Sequence, residues 1–244
     1  MKKTTFTLAL MLVVFTANAQ SNLEGDMNHD GEKNITDVML LVDEILNGSK
    51  PQAYLTCPDG NHPHLIDLGL PSGTKWACCN VGADKPEANG GYYAWGETEV
   101  KSSYNWGTYI HCDGSEATCH DLGKDIARTK YDVAHVKWGG SWVMPSDNQQ
   151  HELLDNCTST WTTQNDVPGR LFIGKNGGRI FLPAAGRLWN DRVISGGVNG
   201  FYWSSTNDPT ISQSPCLISF GSSKAEVCST YYRGGGLSVR PVLR

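Results

Sequence analysis

The sequence predicts an α+β fold in which short, irregular strands surround one or two helices, with a small loop-and-helix unit at the N-terminal end. Three observations support this. The 27 glycines are spread widely along the chain, which suits many short strands and long loops. A well-capped helix is predicted in residues 138–157. Oxygen-bearing side chains recur at alternate positions in residues 25–48, ahead of a short apolar helix.

The central helix has the clearest start signal in the chain. Ser146 is a typical N-cap, and Gln149, three residues later, completes a capping box. Pro145 stops the short apolar run that precedes the cap. The apolar positions that follow share one helical face, which predicts a helix packed on a core. These positions are Leu153, Leu154 and Cys157.

Strands and one further helix are predicted around that helix. We expect strands at residues 65–68, 92–95, 201–205, 217–220 and 237–242, a short helix at 132–138 and an extended polar loop at 101–125. Residues 171–174 and 179–182 predict a hairpin across Asn176-Gly177, a pair that suits a type I′ turn.

The first residues predict secretion. Lys2 and Lys3 precede an apolar run and then Ala-Asn-Ala, the layout of a signal peptide at residues 1–19, cleaved after Ala19. No apolar segment is long enough to predict a membrane span. The formal charge of −5, two units more negative without the two lysines, argues against a nucleic-acid partner. We expect an extracellular or periplasmic protein.

A Ca²⁺ site is predicted just after the signal peptide. Ca²⁺ takes six to eight oxygens, which alternate residues of a tight loop supply, with glycine at position six and a backbone carbonyl at position seven. An Asx-rich turn that caps a helix is the alternative. Counting Asp26 as position one, the predicted ligands are Asp26, Asn28, Asp30, Glu32, Asn34 and Asp37.

This loop is EF-hand-like, but with Asp37 rather than glutamate at position twelve it resembles a single dockerin type I repeat, assigned to residues 20–50. The following helix is amphipathic and ends near Gly48. Dockerins carry two such repeats and bind cohesins, so the resemblance implies a cohesin-like partner. A calcium clip that only stabilises the N-terminal end is the alternative.

Beyond a linker at residues 51–56, ordered blocks in residues 57–244 resemble the Fibrobacter succinogenes major paralogous domain. That family occurs in secreted proteins of gut Bacteroidetes. The resemblance implies a fold similar to C-type lectin-like domains and to formylglycine-generating enzymes. The blocks are DLGLPSGTKWACCNVGA from residue 67, GGYYAWGE from 90, FLPAAGR from 181, GFYWSS from 200 and LSVRPV from 237.

Eight cysteines in a secreted chain predict disulfides. Cys112 and Cys119 flank a short polar loop, so we expect a local bridge between them. The family resemblance implies that Cys79 pairs with Cys157, which would leave Cys57 to Cys78 and Cys216 to Cys228. Free buried thiols are the alternative. The adjacency of Cys78 and Cys79, and the lack of a CxxC pair, argue against a metal bound by the cysteines. The two histidines of His62-Pro63-His64 suggest a metal site as one interpretation, and incidental placement in a loop is the other.

A binding surface is expected at the C-terminal end of the domain. Of the tryptophans, Trp76, Trp95, Trp142 and Trp203 are predicted to be buried, whereas Trp106, Trp161 and Trp189 lie in predicted loops. Asn, Tyr and Arg side chains in loops of a rigid scaffold make adaptable contacts. The predicted ligand residues are Trp189, Asn190, Tyr231, Tyr232 and Arg233.

The function predicted from these features is non-catalytic binding or adhesion, with glycan or protein ligands and Ca²⁺. No catalytic residue is assigned, because the sequence has no nucleophile elbow, P-loop or zinc helix. An accessory role in an extracellular polysaccharide-degrading assembly, docked through the repeat, is one alternative. An oxidase similar to formylglycine-generating enzymes is another, and it would need Cys216 and Cys228 as reactive cysteines.

Overall fold

The computed structural model describes residues 64–207 and 214–243, together with Ile35, Val38, Met39 and Val42. These four isolated residues are helical, and they fall in or next to the predicted N-terminal helix. The predicted signal peptide, the six calcium ligands, the linker and Cys57 lie outside the described residues.

The described part of the chain is mostly β-sheet with few helices. The α-helices are α1 (Val133–Trp138) and α2 (Asp147–Asn156), and a 3₁₀ turn spans Glu116–Thr118. The strands are β1 (Leu65–Asp67), β2 (Lys75–Ala77), β3 (Thr158–Gln164), β4 (Val167–Ile173), β5 (Arg179–Pro183), β6 (Arg187–Trp189), β7 (Arg192–Ile194), β8 (Gly200–Asn207), β9 (Pro215–Phe220), β10 (Ala225–Thr230) and β11 (Val242–Leu243).

These strands form small antiparallel sheets. The sheet orders are β1-β2-β11, β3-β4-β5, β8-β9-β10 and β6-β7. Because β2 pairs with both β1 and β11, the first and last described strands lie in one sheet. The two ends of the described range 64–243 are therefore held together by main-chain hydrogen bonds.

Helix α2 confirms the prediction for the central helix. The Ser146 side chain accepts a hydrogen bond from the Gln149 N–H, and the reciprocal half of the capping box is also formed. Leu153 is fully buried, and Leu154 and Cys157 pack against the same hydrophobic cluster. Helix α2 contacts β8, β9 and β10, so its apolar face covers that sheet.

Helix α1 confirms the short helix predicted at residues 132–138. Asp132 is its N-cap and accepts hydrogen bonds from the N–H groups of Ala134 and His135. The same buried carboxylate accepts from Met144 N at 3.1 Å, which ties the helix to the segment ahead of α2. Burial raises the pKa of Asp132, while these backbone donors oppose that rise.

The hairpin predicted around residues 171–182 is confirmed as β4 and β5, but the predicted turn type is wrong. A type I′ turn needs positive φ at both central residues, and of the pair only Gly177 has it, at 89°. The loop is longer, closed by Gly174 N–H donating to Gly178 O at 2.9 Å. The Asn176 side chain accepts from Gly178 N and donates to Asp67 O, so it bonds its own loop and β1.

Two predicted strands are shorter or absent. Residues 92–95 make only an isolated bridge between Tyr93 and Leu237, because the chain turns at once through a Glu97 N–H bond to Ala94 O. Residues 237–242 contribute to a regular strand only at Val242. Their other backbone groups bond several separate segments instead of one neighbouring strand.

The core of the described residues contains two large clusters and three smaller ones, and all four tryptophans predicted to be buried lie in the interior. Two of them cross-link distant segments: Trp95 Nε1 donates to Ser204 O at 2.9 Å, and Trp203 Nε1 donates to Tyr93 O at 2.8 Å. A buried indole N–H is costly without an acceptor, so these bonds also define the packing.

The disulfide predictions have mixed outcomes. Cys112 and Cys119 form the predicted bridge. The Cys79–Cys157 pairing is wrong, because neither cysteine is in a disulfide. The reason is spatial: Cys79 packs with Cys78, whereas Cys157 packs at the end of α2 against another cluster. Cys57 and the Cys228 side chain lie outside the described residues, and so do the two pairings that involve them.

Arg240 forms the most extensive buried polar contact among the described residues, with only 1% of its surface exposed. Its Nε donates to Asn80 Oδ1 at 2.8 Å, and its two terminal nitrogens donate to the carbonyls of Cys78 and Phe181, each at 2.9 Å. One terminal nitrogen also donates to Ala77 O at 3.2 Å. A buried guanidinium is tolerated only when its donors are satisfied, which is the case here.

We therefore predict that Arg240→Met lowers the free energy of unfolding by about 3 kcal/mol or more, because several buried acceptors lose their donor at once. Arg192→Met, at an exposed position of β7, is the matched control and should change it by less than about 0.5 kcal/mol. Urea denaturation measures both. An equal effect of the two substitutions would show that Arg240 is not a structural centre.

Candidate functional site

Four aromatic side chains form a continuous group at the surface, here called the aromatic face: Trp106, Trp189, Tyr231 and Tyr232. The Tyr232 ring lies 5.7 Å from Trp106, 5.6 Å from Trp189 and 5.6 Å from Tyr231, measured between ring centroids. Tyr232 is 47% exposed, and the other three are partly exposed. The group offers ring surface to solvent from three separate chain segments.

Trp189 is positioned by the β6–β7 hairpin. Asn190 follows it in the left-handed conformation, with φ of 54°, which the short Asn-Asp connection requires. The Asn190 backbone pairs with Tyr104 in both directions, and its Oδ1 accepts from Asn105 Nδ2 at 2.9 Å. The Trp189-Asn190-Asp191 sequence therefore builds a turn locked to a neighbouring loop.

Tyr231 and Tyr232 are positioned by the glycines that follow them. A Cβ on Gly235 would overlap the Tyr231 ring, and one on Gly236 would come within 2.8 Å of Tyr104 Cδ1. Without side chains, the backbone passes close enough for Gly236 and Leu188 to exchange two hydrogen bonds of 2.8 and 2.9 Å. The closing segment is thereby joined to β6 beneath the aromatic face.

Arg187 supports the aromatic face from one side. Its guanidinium lies 4.6 Å from the Tyr231 ring centroid and 5.1 Å from that of Phe201. Its Nε is buried and lacks a hydrogen-bond partner in the described part of the chain. Burial raises the pKa of Tyr231, and the positive charge of Arg187 opposes that rise.

The predicted ligand residues divide into two groups. Trp189, Tyr231 and Tyr232 come together as expected, with Asn190 exposed beside them. Arg233 is wrong as a surface contact, because it is 1% exposed. Its guanidinium stacks 4.8 Å from the Trp95 ring and donates to His120 O at 3.1 Å, so it fills the space under the 101–125 loop.

Sequence reasoning missed Arg187 and Asn105 and did not connect Trp106 with this surface. All three come from segments far from residues 231–232, and only the fold brings them together. A weak signal exists in the sequence: Tyr104-Asn105-Trp106 and Arg187-Leu188-Trp189 each combine aromatic and polar residues, as the closing segment does. Their mutual contact cannot be read from that similarity.

A second feature is a polar pocket of about 470 Å³ beside the start of α2. Much of its polar lining is already paired: Ser72 N and Oγ both donate to the Glu152 carboxylate, and Gln149 Nε2 donates to Thr74 Oγ1. Polar groups that satisfy one another leave few donors or acceptors for a ligand. The aromatic face is the stronger candidate for binding.

A third feature is a buried group of His64, Cys78 and Cys79, in which the three donor atoms lie within 4.8 Å of one another. His64 Nδ1 lies 3.1 Å from Cys78 Sγ and 3.9 Å from Cys79 Sγ. The pKa of Cys79 is lowered to about 5, chiefly by a hydrogen bond from Cys78 and further by His64 and the charge of Arg240, against the opposing effect of burial.

The three residues of this group are visible in the sequence, but their pattern does not predict a shared metal site. The adjacency of Cys78 and Cys79 and the lack of a CxxC pair argue against a metal, and no sequence pattern places His64 beside these cysteines. The β1–β2 pairing places Leu65 opposite Ala77, so His64 lies opposite Cys78. His64 is therefore buried beside the two cysteines.

The cysteines that an oxidase would need are not shown as a reactive pair. Cys216 is buried in β9, and the side chain of Cys228 lies outside the described residues.

In the described ranges, no helix combines the length and apolar character needed to cross a membrane. Comparisons with protein families, curated proteins and solved structures each return no match.

The support from Arg187 can be tested directly. Arg187→Met keeps the side-chain length but removes both cation–π contacts, and we expect it to lower the free energy of unfolding by about 1–2 kcal/mol. Arg179→Met, at an exposed position of β5, is the control and should have little effect. Thermal unfolding measures the difference, and equal values for the two variants would contradict the stacking role.

Proposed function

We propose that the protein is a secreted, non-catalytic binding protein whose aromatic face recognises glycans. The single observation that carries this proposal is the joint exposure of Trp106, Trp189, Tyr231 and Tyr232 on a braced surface. Flat aromatic rings present apolar faces that stack on the C–H faces of sugar rings, while their polar edges remain hydrated. A polysaccharide or a mucin-type glycan is the ligand class that fits.

Polar groups around the face add directional contacts. Asn190 is exposed at the rim, where its Oδ1 accepts from Asn105 Nδ2, and the Tyr232 hydroxyl belongs to a half-exposed ring. Sugar hydroxyls both donate and accept, as side-chain amides and phenols do. Because each segment is fixed by backbone hydrogen bonds, little conformational entropy is lost when a ligand binds.

We also propose that the domain has the C-type lectin-like fold of the Fibrobacter succinogenes major paralogous family. The support is the set of sequence blocks that resemble that family, together with a β-rich architecture around one well-capped helix. Within this proposal the aromatic face occupies the C-terminal surface that such domains use for ligands. Fold likeness alone does not specify the ligand, which is why the face itself carries the proposal.

The proposal predicts that Trp189→Ala and Tyr232→Ala each weaken binding to a responsive polysaccharide or mucin by at least about tenfold, because each removes a stacking surface. Binding is measured on a glycan array and then by titration with the best soluble probe. Near-ultraviolet circular dichroism verifies that both variants are folded.

Trp161→Ala is the matched control for this experiment. Trp161 lies on β3 and not in the loop predicted for it, and it packs against the core cluster that contains Phe172. It should bind like the unmodified protein. Absence of signal with every glycan, or unchanged binding of the Trp189 and Tyr232 variants, would contradict the glycan proposal.

We further propose that the N-terminal loop binds one Ca²⁺ through Asp26, Asn28, Asp30, Glu32, Asn34 and Asp37. The support is the loop spacing, with Gly31 at position six, and the helical conformation of Ile35, Val38 and Met39 just where the exiting helix should start. Docking of this repeat to a cohesin-like partner, within an extracellular polysaccharide-degrading assembly, is the accessory role that follows.

Asp26→Ala should reduce Ca²⁺ affinity by at least about tenfold, since a carboxylate ligand at position one is lost. Isothermal titration measures this, and Asp155→Ala, at an exposed position of α2, is the control. Absence of heat with the unmodified chain would refute the calcium proposal. That outcome would not affect the glycan proposal, because glycan binding is tested separately with the Trp189 and Tyr232 variants.

A further inference from the structure

The group of His64, Cys78 and Cys79 is unusual for its burial. The three residues expose 3%, 3% and 0% of their surfaces. They lie where the β1–β2 hairpin meets α1: Cys78 N donates to His64 O at 2.8 Å, immediately beyond the paired strand residues. The hairpin register therefore fixes the imidazole against the two adjacent sulfur atoms.

The surroundings are aromatic on one side and cationic on another. The His64 ring lies 4.4 Å from Trp138 and 5.3 Å from Trp142, between ring centroids, and the two indoles contact each other at 5.2 Å. Arg240 donates to the Cys78 carbonyl at 2.9 Å, which brings a positive charge next to the sulfur pair. Such a shell excludes bulk water, and the guanidinium offsets part of the cost of burying a negatively charged sulfur atom.

Sulfur and imidazole donors select particular metals. Thiolates are soft ligands that favour Cu⁺ and Zn²⁺ over Ca²⁺ and Mg²⁺, and imidazole suits both of the former. Two thiolates and one neutral imidazole carry two negative charges, which a mono- or divalent cation would offset in a buried site. Donor atoms already within 4.8 Å of one another need only small shifts to share one ion.

We propose that His64 Nδ1, Cys78 Sγ and Cys79 Sγ bind one soft d¹⁰ metal ion, Cu⁺ or Zn²⁺, as a structural site at the base of the domain. A thiol that still carries its proton releases it when it binds the metal, so metal uptake is accompanied by proton release. Three protein donors match three-coordinate Cu⁺; Zn²⁺ would require a fourth ligand. This site is separate from the oxygen-ligand loop proposed for Ca²⁺ and from the aromatic face.

The experiment uses the full chain, prepared anaerobically and kept in excess Ca²⁺ so that oxygen-ligand sites are occupied. Zn²⁺ and, separately, Cu⁺ are titrated against a chromophoric competing chelator. We expect one equivalent of at least one of the two ions per chain, with quenching of tryptophan fluorescence because Trp138 and Trp142 lie against His64. The two titrations distinguish the metals.

His64→Ala and Cys79→Ser should each weaken that binding by at least about tenfold. The matched controls are His120→Ala, at an exposed histidine, and Cys157→Ser, at a half-buried cysteine outside the group. Both controls should retain the affinity of the unmodified chain. Circular dichroism of each metal-free variant separates loss of a ligand from loss of folding, and His64→Asn replaces His64→Ala if the latter does not fold.

Peptide mapping of the unreduced protein provides an independent test. Recovery of Cys78 and Cys79 as alkylatable thiols after metal removal supports the site. Finding either cysteine in a disulfide would overturn the proposal. Binding of neither Zn²⁺ nor Cu⁺ would also overturn it, and so would equal binding by the site variants and the controls.

Discussion

The buried guanidinium of Arg240 is the interaction on which the rest of the domain depends. Removing a cation from water costs several kcal/mol, so its position is stable only if surrounding acceptors replace the lost hydration. Those acceptors come from the end of β2 and nearby Asn80, and from β5, which is far from both in sequence. One side chain near the C-terminal end therefore holds together segments that the antiparallel sheets alone leave separate. Its charge also contributes to the lowered pKa of Cys79, after the larger effects of the Cys78 hydrogen bond and of His64.

The aromatic face also depends on hydrogen bonds that replace contacts with water. Here the bonds join the backbone N–H and C=O groups of irregular segments. Few of its residues lie in long strands, and yet the loops are fixed, because Tyr104 pairs with Asn190 and Leu188 pairs with Gly236. These short bridges allow the face to combine three distant segments at close range. A rigid platform of this kind suits recognition of ligands whose own shape is fixed, as sugar rings are.

The two proposed sites for ligands of the described domain differ in the chemistry they use. The aromatic face combines apolar ring surface with neutral amides and phenols, and it is open to solvent. The His64 group combines soft donors with nearly complete burial, which suits an ion that becomes part of the structure. The disulfide between Cys112 and Cys119 closes the long polar loop near the first of these sites.

Local signals in the sequence were sufficient for several elements. The capping residues of α2, the short helix before it, the β4–β5 hairpin and the burial of four tryptophans follow from near-neighbour patterns that act whatever the distant contacts are. The Cys112–Cys119 bridge is similar, because the two cysteines are only seven residues apart. Trp189, Tyr231 and Tyr232 could be proposed from composition alone.

Contacts between distant segments were decided only by the tertiary structure. Arg233 looks like a surface residue beside Tyr232, but the fold turns it under Trp95. Cys79 lies beside His64 instead of Cys157 because the register of β1 and β2 carries it there. The physical reason is that short strands have weak individual preferences, so burial and long-range hydrogen bonding select their partners. The sequence by itself determined which local pieces form, and the packing determined which side chains meet.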